Sequence, residues 1–214
     1  LEAKPPLDFH IGLPASVDRA RVARLQAISL RELVFHLNTM PPMFAASMFN
    51  PSSLSARAFV VAAGVKGAAD FNRDELRVLE MPSVNGTATA RSIAKVYGAA
   101  ASGGSGLALS RAVRDDLEGA AVPPTKGLRD KVIHVDASYS LGFGKPTAEF
   151  VFGSSGKAFG WPGAGGSFGF ADPDTGVGFG YVMNKMGYHI FSDPRELSLR
   201  QAVFRDVLGA RTQR

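Results

Sequence analysis

The sequence predicts an α+β fold in two regions. Residues 1–130 form a mostly helical region with pocket-lining loops, and residues 131–214 an antiparallel sheet segment with a C-terminal helix. Three observations predict it. Apolar residues recur at helical spacing through the first 120 or so positions. Aromatics and glycines then alternate at period two from Ser167 to Tyr181, around the turn segment Asp172-Pro173-Asp174-Thr175-Gly176. A capped apolar-periodic stretch closes the chain after Ser192 and Asp193.

The elements follow in order. Val17, Ala20, Val22, Ala23, Leu25 and Ile28 form one face and Asp18, Arg19, Arg21 and Arg24 mostly the other, which predicts a helix over 16–28. Three prolines, three methionines and two phenylalanines over 38–53 predict an irregular loop, either stapled to the core by its apolar side chains or serving as a pocket wall or lid. A short helix is expected over 54–63. Asn72 with Glu75 has the spacing of a capping box and predicts a helix ending before Pro82. Asn85-Gly86 reads as a turn or as a pocket border, and a helix follows over 87–101, stopped by Gly103-Gly104. A further helix fits 110–118, closed by Gly119. Val132, Ile133 and Val135 predict a strand, residues 139–144 another, and a hairpin is expected from 163–171 and 177–184. The final helix should have Ser192 or Asp193 as N-cap and pack through Leu197, Leu199, Val203, Phe204, Val207 and Leu208.

Composition narrows the function classes. The chain has 214 residues, of which 45% are hydrophobic and 20% charged, ordinary for a globular domain. The net charge is +5, but Lys and Arg are scattered, so no nucleic-acid partner is expected. No apolar run approaches the roughly 18 residues of a membrane span. Without cysteine, disulfides and thiolate chemistry are excluded. His10, His36, His134 and His189 have no metal-ligand spacing, and no cofactor is implied. The carboxylates Asp70, Asp74, Glu75 and Asp115, Asp116, Glu118 read as solvated helix faces. Gly103–Gly106 lacks the Gly-Lys-Ser/Thr ending of a phosphate loop and follows a helix instead of a strand. The first residue is Leu1, which predicts a processed product or a fragment.

The hairpin raises the functional question. Phe168, Phe170, Val177, Phe179 and Tyr181 would crowd one face, leaving Gly169, Gly178 and Gly180 on the other. Bare strands lose stability to glycine's entropy, so a helix or a substrate must approach closely in compensation. Helix docking accounts for most of the downstream strand. The entry Trp161-Pro162-Gly163-Ala164-Gly165-Gly166 is as well explained by a ligand.

"FGWPGAGGSFGFADPDTGVGFGYVMNKMG" (159–187) resembles the C-terminal signature of the serine β-lactamase-like hydrolases: class C β-lactamases, DD-peptidases and family VIII carboxylesterases. "DFHIGLP" (8–14) and "MPSVNGTATARSIAKVYGA" (81–99) resemble the same family's central region. The resemblance implies a β-lactamase/transpeptidase-like fold whose N-terminal part is missing. It places Trp161-Pro162-Gly163 where the family carries a Lys-Thr-Gly, His-x-Gly or Trp-x-Gly triplet beside the active site. It also makes the Ala164 N–H an oxyanion donor and leaves Asn85 at the pocket border.

The family's nucleophile lies in a Ser-x-x-Lys motif upstream of the segment that Asp8 begins, so this chain is expected to lack it and to be inactive alone. One such string, Ser92-Ile93-Ala94-Lys95, falls inside a different helix with a full helical turn expected before it, and is rejected as the nucleophile. The resemblance therefore implies a partial serine hydrolase acting on a small ester or amide, with the esterase branch preferred because Trp161 replaces a carboxylate-binding Lys. The alternative is a non-catalytic structural or assembly chain. Its open sheet edge would recruit an N-terminal complementing chain or a second copy.

Overall fold

The computed structural model describes residues 7–59, 64–104 and 106–209. Its centre is a five-stranded antiparallel sheet in simple sequential order: β3 (Tyr139–Ser140), β4 (Phe143–Gly144), β5 (Phe159–Pro162), β6 (Phe168–Asp172) and β7 (Val177–Tyr181). Phe170 sits opposite Phe179, and Gly169 opposite Gly180. The alternation does what the pattern requires. Phe168, Phe170 and Phe179 join Phe150, Phe152 and Phe204 in one buried cluster. Burying each such ring contributes roughly 1.5–3 kcal/mol.

The bare face receives helix α5 (Ala90–Ala101). A Cβ at Gly178 would collide with the backbone of Ala94 and Gly98, one at Gly180 with that of Ala90 and Ala94, and one at Gly169 with Ile93 and Tyr97. Helix docking is thus the compensation for the glycine strands. Helix α6 (Arg111–Glu118) adds Leu117 to this side, with Ala100, Ala101, Phe159 and Ala171. Helix α7 (Pro194–Ala202) starts from Asp193 and runs into a π turn, Val203–Val207, that carries Phe204 into the phenylalanine cluster.

Several expectations need correction. Residues 16–28 are not a helix: only a 3-10 turn, Arg19–Arg21, forms, with Asp18 accepting from the Ala20 N–H (2.9 Å). The remainder is an extended strap. The Gln26 N–H donates to the Asn184 carbonyl (2.6 Å), and the Asn72 amide bonds Leu25 in both directions (2.7 and 2.9 Å). Distant pairing overrides the local helical period. The same use of Asn72 removes it as a helix cap: α4 is only Asp74–Arg77, preceded by a 3-10 turn, Ala68–Asn72.

Segment 38–53 is not an irregular loop. It holds α2 (Pro42–Met48), where Pro42 opens the helix, because a missing N–H costs nothing in the first turn. Two further short helices flank α2. Helix α1 (Leu30–Phe35) is capped by Ser29 and went unforeseen, and α3 (Leu54–Ala58) is capped by Ser53. The rest of the expected helix over 54–63 includes 60–63, outside the described residues. Residues Gly86–Ala88 form strand β2, paired antiparallel with β1 (Phe9–Ile11), so α5 begins at Ala90 under a Thr89 cap.

Val132 and Ile133 lie in a turn and not a strand, because the Asp130 carboxylate accepts both their N–H groups (2.7 and 2.9 Å). Residues 139–144 fold into two strands at Leu141-Gly142, both with positive φ (46° and 85°). The expected strand over 163–171 is a loop, 163–167, followed by β6; Trp161 and Pro162 belong to β5. In the last helix and the turn after it Leu199, Val207 and Leu208 are exposed, while the Glu196–Arg200 ion pair (3.0 Å) takes the buried stripe.

Candidate active site

Strand β5 ends at Pro162, and the chain returns into β6 through residues 163–167. The Gly163 N–H donates to the Ser167 carbonyl (2.7 Å), and the Gly166 N–H to the Gly163 carbonyl (3.2 Å). Gly165 and Gly166 have φ of +87° and +106°, where a side chain would be strained. Ala164 stands exposed at the tip of this loop. Among the described residues its N–H has no hydrogen-bond acceptor.

Ala164 and Ser167 line an open cleft of about 690 Å³. Its other walls are the β1–β2 ribbon, the strap through Val17 and Leu25, and the first turn of α5 at Thr89 and Ala90. A helix N-terminus carries partial positive charge, so both this wall and the free N–H favour negative charge in the cleft. The Asp8–Arg21 ion pair (3.1 Å) belongs to the same rim.

The site residues expected from sequence are only partly brought together. Asn85 lines the same cleft as Ala164, but its amide is engaged by backbone: Nδ2 donates to the Leu76 (3.0 Å) and Leu79 carbonyls, and Oδ1 accepts from the Met81 N–H (3.1 Å). It clasps the loop before β2. Trp161 does not line that cleft. Its ring covers Gly144 and meets Tyr139 (4.9 Å between centroids) and the edge of Phe191 (5.8 Å). There it borders a cavity of about 10 Å³ that also touches Lys145. Pro162 is half-buried at the strand end, and Gly163 is exposed beside Ala164.

Lys145 is buried, and its ammonium donates to the Leu117 (2.7 Å) and Lys157 (3.0 Å) carbonyls. Burial lowers its pKa to about 8.

Ser92 lies in the first turn of α5, not a full turn inside it, so the positional ground for rejecting it fails. Its surroundings supply another. Ser92 is 6% exposed, its hydroxyl accepts from that of Thr89 (3.0 Å), and Lys95 is exposed.

Sequence reasoning missed the support of the loop. Arg195 reaches back to the Gly165 carbonyl (3.0 Å) while paired with Asp193, and the Gly187 N–H donates to that same carbonyl (2.7 Å). Burial pushes the Asp193 carboxyl up, but hydrogen bonds from the Arg195 side chain and backbone outweigh it and hold the group below its ordinary range. The glycine run was the signal for this contact, although nothing local pointed to position 195.

Among the described residues, no cluster of three His, Cys, Asp or Glu side chains could hold a metal ion. No helix in them is long and apolar enough to cross a membrane.

The fold is thus an antiparallel sheet between helices, with Ala164 on a glycine-framed loop that lines a cleft. Residues 11–203 match the sequence model of the family described as Beta-lactamase, and the chain belongs to that family of serine hydrolases. It is 32% identical over 196 residues to a Mycobacterium tuberculosis (strain ATCC 25618 / H37Rv) protein named esterase/beta-lactamase LipL, covering 86% of this chain and 42% of that protein.

Two solved structures share the fold. A family VIII carboxylesterase is 34% identical with a TM-score of 0.61, covering 92% of this chain and 47% of its own. A penicillin-binding protein homolog from Caulobacter crescentus is 32% identical with a TM-score of 0.59, covering 92% and 48%. The chain thus spans somewhat under half the length of these relatives.

Proposed function

We propose that the chain is the C-terminal part of a β-lactamase-like serine carboxylesterase that works through an acyl-enzyme. The observation that carries this reading is the free, exposed Ala164 N–H on a glycine-framed loop at the cleft. In the reaction, a serine outside these 214 residues gives up its hydroxyl proton to a base as its oxygen bonds to the ester carbonyl carbon, and the carbonyl electron pair moves onto oxygen. The Ala164 N–H donates to that oxyanion. Collapse expels the alcohol, to which that proton passes, and water then repeats the sequence on the acyl-serine.

Such a donor is effective because it is already oriented and need not reorganise. Trp161 and Pro162 end the strand that leads into this loop, Gly163 opens the loop itself, and Asn85 holds the loop across the cleft. Trp161 lies outside the cleft, whose lining includes Arg21 and Arg77, so the choice of an ester substrate does not rest on its lack of charge. Two of the relatives, LipL and the family VIII enzyme, are named as esterases, which supports the same choice.

The reading is tested by treating the purified protein with a fluorophosphonate and weighing every polypeptide present. The expected result is an adduct on a serine outside the 214 residues and none on Ser92. An adduct on this chain, lost in Ser92→Ala, would instead make it a compact enzyme with its own nucleophile.

A second reading, a structural or assembly chain, is favoured by one observation. Among the described residues β7 pairs on one side only, leaving a five-residue sheet edge open to an added strand. No adduct on any polypeptide, together with concentration-dependent self-association in sedimentation, would select this reading. A monodisperse monomer counts against it.

A further inference from the structure

Arg195 is more elaborately bonded than a residue at the start of α7 needs to be. Its Nε and Nη2 grip the Asp193 carboxylate side-on (2.8 and 2.7 Å), Nη2 also donates to the Gly165 carbonyl (3.0 Å), and Nη1 donates to the Lys185 carbonyl (2.7 Å). Capping α7 requires only the Asp193 carboxylate and the Arg195 backbone N–H (3.1 Å). The guanidinium therefore serves the two segments it reaches, 163–167 and 184–187.

The loop is shaped around this ion pair. The Gly165 carbonyl follows Ala164 directly and takes two donors, Arg195 Nη2 and the Gly187 N–H (2.7 Å). A Cβ at Gly166 would press on the Asp193 carboxylate at 2.7 Å, and one at Gly187 would overlap both that carboxylate and the guanidinium. Asp193 is 3% exposed, so the anion that orients the fork is itself fixed. One of the four guanidinium bonds reaches this loop, two hold the buried carboxylate and one holds the 184–187 segment, while the loop itself makes only two internal hydrogen bonds.

We propose that Arg195 is the positioning residue of the oxyanion donor: locked on Asp193, it holds the 163–167 loop so that the Ala164 N–H stays free and directed at the cleft. The inference rests on the role given to Ala164 under the proposed function. The guanidinium makes four bonds, two of them side-on to one carboxylate, and a lysine ammonium with three donors on one atom cannot reproduce that set.

The test uses the form of the protein that reacts with fluorophosphonate and compares wild type with Arg195→Gln and Arg195→Lys. Two quantities are read: p-nitrophenyl butyrate kinetics, and amide exchange at Gly163, Gly166 and Gly187 with Phe170 of β6 as control. A misplacement of about 1 Å can cost up to ~100-fold in rate. The expected result is a kcat loss of about tenfold or more in both variants, with KM changed less than about twofold. Gly163, Gly166 and Gly187 should lose protection while Phe170 keeps it.

Hydrolysis with kcat unchanged in Arg195→Gln would overturn the clamp and leave the esterase reading intact. So would rescue by Arg195→Lys, or equal loss of protection at Phe170. If no form of the protein hydrolyses the ester or labels, exchange is measured on the purified chain as isolated. That inactivity overturns the esterase reading; Arg195-dependent protection at Gly163, Gly166 and Gly187 then leaves the loop clamp standing, and protection unchanged in Arg195→Gln overturns the clamp as well.

Discussion

Replacing Gly178 by alanine should lift a helix off the sheet. The new Cβ would come closer than 3.0 Å to Gly98 N, Gly98 Cα and the Ala94 carbonyl oxygen. All three are backbone atoms, so no side chain can rotate away; α5 itself must retreat from β7. Overpacking of this kind costs about 1–3 kcal/mol, and an all-backbone clash belongs at the upper end. Removing a glycine from the unfolded chain returns only ~0.4–1 kcal/mol.

The net loss is about 2 kcal/mol, which for a chain this long lowers Tm by roughly 4–8 °C. Gly176→Ala is the control: nothing lies within 4 Å, and φ is +68°, so the backbone strain of about 1 kcal/mol acts alone. Thermal and urea unfolding followed by circular dichroism measure both. If Gly178→Ala costs no more than Gly176→Ala, the close seating of α5 on the glycine face is wrong.

Other outcomes follow from buried polar groups. Lys145 has its pKa lowered to about 8 from 10.5, so between those values the unfolded state binds more protons and this group's contribution to stability rises with pH. Subtracting the unfolding free energies of Lys145→Met from those of wild type across pH 7–10 should show a flat baseline below about 8 and a rise above it. Asn85→Ala leaves the Leu79 carbonyl and the Met81 N–H without the amide, and the Leu76 carbonyl with only the Leu79 N–H, and should cost about 2–3 kcal/mol in urea unfolding. A loss under about 0.5 kcal/mol would mean that the amide does not clasp the loop.

The legible parts of this fold are those whose signals are local. The helix expected over 110–118 forms and Gly119 closes it, Asp193 caps the last helix as expected, and the alternation from Phe168 to Tyr181 is a hairpin against a helix. The strap over 16–28 was illegible because its partners, Asn72 and the 184–186 segment, are remote in sequence. Val132 and Ile133 misled because β-branched residues in a turn look like a strand when one Asp carboxylate supplies the pairing. The strand expected over 163–171 began too early, and the one ending at Pro162 went unforeseen, since the loop at 163–167 gives the same glycine-rich pattern as the strands around it.

At the site, the family motif singled out Ala164 but said nothing of Arg195. A guanidinium that reaches a carbonyl thirty residues away leaves only the demand for glycine at 165, 166 and 187 as its trace.

The measurement that bears most directly on the central claim deletes a single hydrogen-bond donor. Lactic acid incorporated in place of Ala164 replaces the backbone N–H with oxygen and changes nothing else in the side chain. In the fluorophosphonate-reactive form of the protein, with p-nitrophenyl butyrate as substrate, the account predicts that kcat falls by roughly 10²–10³ while KM stays within about threefold. A kcat within about twofold of wild type would contradict it, because an oxyanion donor cannot be removed without cost to the transition state.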